Sequence, residues 1–474
     1  MTPLKILTLS SLPMFLLACG NDDEDTFSIN APDTYAFTSI TDPSAPSSVD
    51  YKEATTRNVL IKELEFLIGS DYLQEVGQAQ GHAAALELLN RIYIKGTLDV
   101  PDNLVATNLY NQQSEPTPIM GLTFSSDFPS LQQSFADLEP NINLQNKLAG
   151  ISKDLFFRND DNDTYGDLIG WYINLLADED DVPDRMIGHW FERIAVLASD
   201  TNPETRYIEG NQDYQKLVTV FLSGAINYFN ATQFHLHFEQ GMQANNTIGG
   251  SSTYYSDLQH QWDLALGYYG ASRDIKTLKF QQVSSQGDND SNQDQLIDLY
   301  SEFNFAYSLE ASYRDRDGPL GDIKFTPAIT QSQLNGRQLI DNQLNLTPST
   351  TTEPISFQTE TLLRNWEKVI AATILHYLNT TANDAALFKL DDLEYDEKHY
   401  ITQWSALKAH ALALQFSPFG TLSKQELIDV HTDLGTGPEI SNPNFLNTQF
   451  SNYSNVRSML IDKFEFSNES AGNW

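Results

Sequence analysis

Asp288, Asp290, Asn292, Asp294 and Asp298 fall within eleven residues, after which the chain turns apolar and aromatic as IDLYSEFNF. Side-chain oxygens on alternate residues are the donor set of a hard cation, because odd positions of a tight loop turn toward one centre. With Asp290 at position one of a calcium loop, Asn292 and Asp294 stand at three and five. Leu296 then offers a main-chain carbonyl at seven, Ile297 is the apolar anchor at eight, and Asp298 follows at nine. Gln295 replaces the usual glycine at six, and Ser301 stands where a bidentate Glu belongs, with Glu302 one place late. The spacing predicts a calcium loop of lowered affinity held by Asp290, Asn292, Asp294, Leu296, Asp298 and Glu302. Asp288 adds a ligand or only field. Such a site suits extracellular calcium, with Kd about 10⁻⁴ to 10⁻³ M, and would clamp the loop onto YSEFNF rather than catalyse. A solvated acidic loop between helices is the competing reading of the same charges. A second cluster, Asp161, Asp163 and Asp167, is interrupted by Tyr165 at its fifth place.

Other residues offer chemistry by spacing. His235 and Glu239 are four apart, and His189 and Glu192 three apart, so each pair suits one face of a helix. Two such pairs on different helices can converge on a metal in a bundle, though single pairs are more often surface or core residues. His260, Trp262, Asp263, Tyr268 and Tyr269 form the most distinctive block. Polar tips on apolar bodies suit a pocket wall. The plainer reading is helix packing with a surface Asp–Arg pair. There is no Gly-x-Ser-x-Gly elbow, His-Glu-x-x-His, Walker loop or dinucleotide fingerprint.

The elements that must hold these residues read as helices. RNVLIKELEFLI places Val59, Leu60, Leu64, Leu67 and Ile68 on one face. HAAALELLNRIYI, GDLIGWYINLLAD and MIGHWFERIAVLAS repeat the period, as does the long stretch from Tyr214 to Gln243. LQHQWDLALGYYGASRD, TETLLRNWEKVIAATILHYLNTT, EKHYITQWSALKAHALALQF and KQELIDVHTDLG complete the set, the last opening on Ser423 with Glu426 placed for a capping box. Trp190, Trp262, Trp366 and Trp404 each sit early in such a helix, which suggests bundle packing around one large core. No strand ladder of period two stands out. The expected fold is all-α, a large multi-helix bundle-like domain with long loops. The 40% hydrophobic content, with 21 Tyr and 26 Phe among 474 residues, is enough for that core. The net charge of −36 argues against nucleic acid and against unassisted docking on anionic lipid.

The chain opens with MTPLKILTLSSLPMFLLACG, a basic Lys5, a short apolar run and Leu16-Leu17-Ala18-Cys19. The run is short for a membrane span and suits an export signal. Leu-Ala-Cys resembles a bacterial lipoprotein box, which implies cleavage before Cys19 and acylation of its thiol and amino group. Cys19 is the only cysteine, so no intrachain disulfide or thiol nucleophile remains. The expected organisation is a signal peptide over 1–18, acylated Cys19 and a flexible tether over 19–50, and a helical domain over 51–474. Gly20 and Asn21 after the Cys lean towards the outer membrane.

Asp33 to Ile68, Tyr255 to Asp274, the acidic segment ending in IDLYSEFNF, Asn365 to Asn379 and Trp404 to Pro418 resemble blocks of the bacterial DUF4856 lipoprotein family. The resemblance spans most of the mature chain. It implies an association with imelysin-type lipoproteins, which are helical, exported and linked to iron. The imelysin signature Gly-x-His-x-x-Glu does not carry over, because Gly188-His189-Trp190-Phe191-Glu192 lacks the spacer. The expected function is a lipid-anchored envelope protein, binding or accessory in metal (iron) acquisition, with structural calcium and an envelope protein as partner. A hydrolase of envelope peptide or glycan, or a purely structural envelope protein, are the alternatives. The expected ligand pocket draws on His260, Trp262, Asp263, His235 and Glu239.

Overall fold

A computed structural model describes residues 29–39, 41–42, 44, 47–96, 131–132, 137–150, 168–171, 182–200, 207–249, 252–284, 289–315, 323–346 and 352–474. Cys19, Asp161, Asp163, Asp167 and Asp288 lie outside these residues. The described chain is mostly helical, as its periodicity predicts. Its only paired strands among those residues are a two-residue hairpin, with Ile208 opposite Asp213 and Glu209 opposite Gln212.

Helix α1 (Lys52–Gly69) buries the expected stripe: Val59, Leu60, Leu64, Leu67 and Ile68 are all at most 1% exposed. Each such side chain contributes about 1.5–3 kcal/mol relative to leaving it in water. α2 (Asp71–Gln80) and α3 (His82–Asn90) follow and pack on α4 (Pro183–Ala198). α5 (Tyr214–Leu222) continues through two π-type segments, Ser223–Tyr228 and Ala231–His235, and stops there. α6 (Asp257–Tyr269) opens on a Ser256–Gln259 capping box and ends at Gly270, whose φ of +85° gives the left-handed turn that a side chain would strain.

The short α7 (Phe280–Ser284), α8 (Ala306–Arg314) and α9 (Phe325–Asn342) lead into α10 (Glu353–Leu390). At 38 residues α10 is the axis of the body, roughly 57 Å long at 1.5 Å per residue. It packs against α8, α9, α11 (Glu397–Ala413) and α13 (Leu446–Phe464). α12 (Lys424–Leu434) starts on the expected Ser423–Glu426 capping box, and α14 (Asn468–Asn473) closes the chain.

The main hydrophobic cluster contains Trp190, Trp262, Trp366 and Trp404, and a small separate one joins Ala385, Tyr400 and Leu446. Trp262 lies over Gly336 of α9, where an added Cβ would come within 1.9 Å of the indole. Small residue and large ring thus set the α6–α9 distance.

The packed body begins before Tyr51. Tyr35, Phe37 and Val49, assigned from sequence to the tether, are at most 6% exposed and belong to the main cluster. The described residues of this segment form no helix, and its apolar residues are too widely spaced to betray burial. Among the described residues no helix is long and apolar enough to cross a membrane.

Candidate functional site

The acidic loop folds around its own carboxylates. Asp290 accepts hydrogen bonds from the backbone N–H groups of Asp294 (3.1 Å) and Gln295 (2.7 Å). Asn292 accepts from Asp294 N–H, and Asp294 from Leu296 N–H, each at 2.9 Å. Gln293 and Gln295 take left-handed φ values of 61° and 70°, so Gln295 adopts the conformation usually given to glycine at that place. Ile297 is buried as the anchor. Glu302 is 3% exposed, and accepts from Ser291 Oγ, Asn292 N–H and Asp298 N–H. Asp298 accepts from Gln132 Nε2, Tyr300 N–H and Ser301 Oγ. Glu302 and Asp298 therefore tie the loop together and to the body, with most of their acceptor capacity in use. Among the described residues no three His, Cys, Asp or Glu side chains gather at metal-binding spacing. Asn292 and Asp294 are exposed, Asp290 and Asp298 half-buried and Glu302 buried; oxygen donors on alternate residues are the kind a hard cation takes.

The block around Asp263 is a closed polar lock. Asp263 and Arg337 are both fully buried and paired at 2.9 Å. Asp263 also accepts from Tyr35 OH (2.7 Å) and from Asp50 N–H (3.2 Å). Arg337 donates to Ser48 Oγ (3.0 Å), pairs with Asp341, and stacks over Phe37 at 4.9 Å. His260 Nδ1 meets Asp50 O at 2.9 Å, and Trp262 Nε1 donates to Gln333 O at 2.9 Å. These residues fasten the N-terminal segment and α9 to α6. The Asp–Arg pair is buried rather than on the surface, because its partner comes from a helix 74 residues away.

His235 and Glu239 do not share a helix face. The helix ends at His235, so the four-residue spacing no longer puts them on one face. His235 is buried against Tyr268 and bonded to Gln261 at 2.7 Å, while Glu239 is exposed on the following turn. Burial pushes the His235 imidazole down to about 4. His189 has Arg193 and Glu209 as its charged neighbours rather than Glu192, and burial with Arg193 lowers it.

The place where polar and charged groups meet open space lies elsewhere. A cleft of about 1140 Å³ sits between the turn before α7, α7 itself, α8, the start of α9 and the middle of α10. Its wall carries Lys276, Lys279, Arg314 and Lys324, with Glu310, Asp315, His376 and Tyr377. Phe280 and Tyr313, 42% and 37% exposed, meet edge to face at 6.1 Å on the same wall. Arg314 Nη2 donates to Glu310 at 3.1 Å, and Thr373 Oγ1 donates weakly to the same oxygen at 3.4 Å. Burial works to raise the Glu310 carboxyl, but the Arg314 guanidinium together with His410 and Lys216 outweighs it, and the group is lowered from its ordinary value. Asp315 caps the start of α9, accepting from Phe325 N–H (2.5 Å) and Thr326 N–H (3.0 Å). Burial raises its carboxyl to about 6.

Glu310, Tyr313 and Tyr377 also line a smaller cavity of about 160 Å³, with Tyr307, Lys216 and His410. His410 is 3% exposed and stacks on Tyr377 at 5.3 Å, and neither ring nitrogen has a hydrogen-bond partner among the described residues. Burial lowers its imidazole to about 4, so it is neutral at pH 7. Sequence reasoning passed over this region. For His410, a histidine on the buried face of a helix is the signal that could have flagged it.

Compared with known proteins, the chain matches no family model, no curated protein and no solved structure.

Proposed function

We propose that this chain is a binding protein of the bacterial envelope with an accessory role in metal acquisition, and that its ligand occupies the cleft between α7, α8, α9 and α10. The observation that carries the reading is the cleft itself, a concavity of about 1140 Å³ with half-open aromatic rings and polar groups on one wall. Small-molecule sites are clefts of this scale, apolar in body with a few placed polar groups. Iron as the metal comes from the family resemblance alone. Cys19 carries the lipid anchor in this reading, and a Cys19→Ser variant is expected to leave the membrane fraction.

The acidic loop serves as a calcium-type clamp, with Asp290, Asn292 and Asp294 as ligands and Asp298 and Glu302 as their scaffold. The alternation of oxygen donors and the left-handed backbone at Gln293 and Gln295 support it. A cation there would relieve repulsion between the neighbouring Asp290 and Asp294 carboxylates.

Quenching of tryptophan fluorescence by a panel of ferric chelates tests the binding reading. One chelate is expected to saturate, and Gln331→Trp, which fills the cleft, to abolish its binding. No binding by any chelate at about 1 mM, together with turnover of envelope peptide or glycan by the purified protein, would replace this reading with the hydrolase alternative. Glu310, His376 and His410 are the residues such an enzyme would draw on.

A further inference from the structure

The small cavity of about 160 Å³ beside the cleft lies between α1, α5, α8, α10 and α11. Most polar side chains on its wall are already engaged. Thr219 and Ser223 donate to carbonyls one turn back. Asn58 bonds Gly267 O and Asn227, and Lys62 pairs with Glu65 at 2.9 Å. His410 is not engaged: it is buried, and neither ring nitrogen meets a hydrogen-bond partner among the described residues. Tyr307 OH is buried in the same condition. Glu310 gives Oε2 to Arg314 and Thr373, while its Oε1 accepts no hydrogen bond among the described residues. Glu310 and Lys216 both act on His410 through space. Tyr313 and Glu65, 37% and 38% exposed, bring the wall out to solvent, so a ligand has a way in.

A polar group buried without a partner is costly, and native structures keep few unless water or a ligand meets them. The wall narrows what that ligand is. A cation would face Lys216 and the Arg314 guanidinium beside Glu310, and an anion would face the Glu310 carboxylate. His410 is neutral at pH 7, because burial lowers it to about 4, so it offers one N–H donor and one acceptor nitrogen. A hydroxyl group both donates and accepts, and suits an imidazole N–H and a carboxylate oxygen together. The remaining wall is apolar or aromatic, with Ile61, Val220, Phe305, Leu309 and the Tyr377 ring. An apolar cavity of about 150 Å³ has room for a benzene-sized ring. We infer that this cavity is a second binding site, separate from the larger cleft, for a small uncharged phenol whose hydroxyl accepts from the His410 N–H and donates to Glu310 Oε1.

Calorimetric titration of the full chain with phenol, anisole, benzoate and glycerol tests this. Phenol is expected to bind. Anisole, which cannot donate, should bind at least tenfold more weakly, and benzoate and glycerol not at all. His410→Phe removes both nitrogens, and Val220→Phe fills the cavity from a half-buried position; each is expected to weaken phenol binding at least tenfold. Ring-nitrogen spectra of the parent with isotope-labelled histidine need no variant: phenol should move the signals of a histidine that stays neutral at about pH 5. Phenol binding that survives either folded variant, equal binding of anisole, binding of benzoate or glycerol, or unmoved histidine signals overturns the inference. So does silence of all four compounds, which leaves the cavity to water. Phenol binding abolished by Gln331→Trp places the ring in the larger cleft instead; this inference then falls and the binding reading stands.

Discussion

Replacing Arg337 by Met asks whether the Asp263 block is a lock or a ligand site. The guanidinium is fully buried, as is the carboxylate it meets at 2.9 Å. Methionine fills a similar volume but leaves the Asp263 charge with only Tyr35 OH and the Asp50 N–H. Removing one partner of a buried, hydrogen-bonded pair costs about 3–5 kcal/mol, because the other charge is stranded in low dielectric. Asp263→Asn is the milder change. Arg337 keeps Asp341 and Ser48, so the loss is about 1–3 kcal/mol. The double variant strands no fully buried charge, only the partly exposed Asp341, which keeps the Gln259 amide as a donor, and its cost should fall short of the sum by about 1–3 kcal/mol. Urea unfolding followed by the fluorescence of the six tryptophans gives all four free energies, against a total stability of about 5–15 kcal/mol for a typical domain. Limited proteolysis should also cut Arg337→Met earlier within residues 33–50, whose anchor is the same cluster. Additive costs within about 0.5 kcal/mol, or an Arg337→Met protein as stable as the parent, would refute the lock.

Gly336→Ala is expected to destabilise by about 1–3 kcal/mol through overpacking, because its Cβ would sit 1.9 Å from Trp262; this outweighs the gain of about 1 kcal/mol from helix propensity, and near-UV circular dichroism should report the displaced indole. His410 titrates at about 4 in the folded chain and near 6.5 when unfolded. The unfolded state therefore binds the extra proton, so this group's contribution to stability is present above about pH 6.5 and is lost as pH falls towards 4. His410→Gln should flatten the difference by up to about 3 kcal/mol in urea titrations at the two ends of that window, and an unchanged pH slope would contradict the burial argument. Calcium at 10 mM should stabilise the parent by about 1.4–2.7 kcal/mol if its Kd lies between 10⁻³ and 10⁻⁴ M. In thermal melts with calcium and with chelator, Asp290→Ala with Asp294→Ala should remove that difference, and coincident melts of the parent would leave the loop a solvated turn.

Helix content was readable because amphipathic period is a local property. The stripe on α1, the four buried tryptophans and the Ser423 capping box all follow from residues a few places apart. The turns of the acidic loop close through hydrogen bonds between residues two to five apart, whereas the ties of Ser291 and Asn292 to Glu302 and of Asp298 to Gln132 join residues ten or more apart and have no local signal. The helices over Ala306–Arg314, Phe325–Asn342 and Leu446–Phe464 were passed over because polar residues such as Gln, Ser and Asn dilute their apolar stripe.

What the tertiary structure alone decided is which polar residues face one another. Asp263 lies 74 residues from Arg337 and 228 from Tyr35, and the turn carrying Lys279 meets α8, α9 and α10 only after packing. Local spacing fixes a helix because its hydrogen bonds close within four residues. A cleft has no period of its own: it is the space left where separate helices, each satisfied by its own apolar face, fail to fill the volume between them.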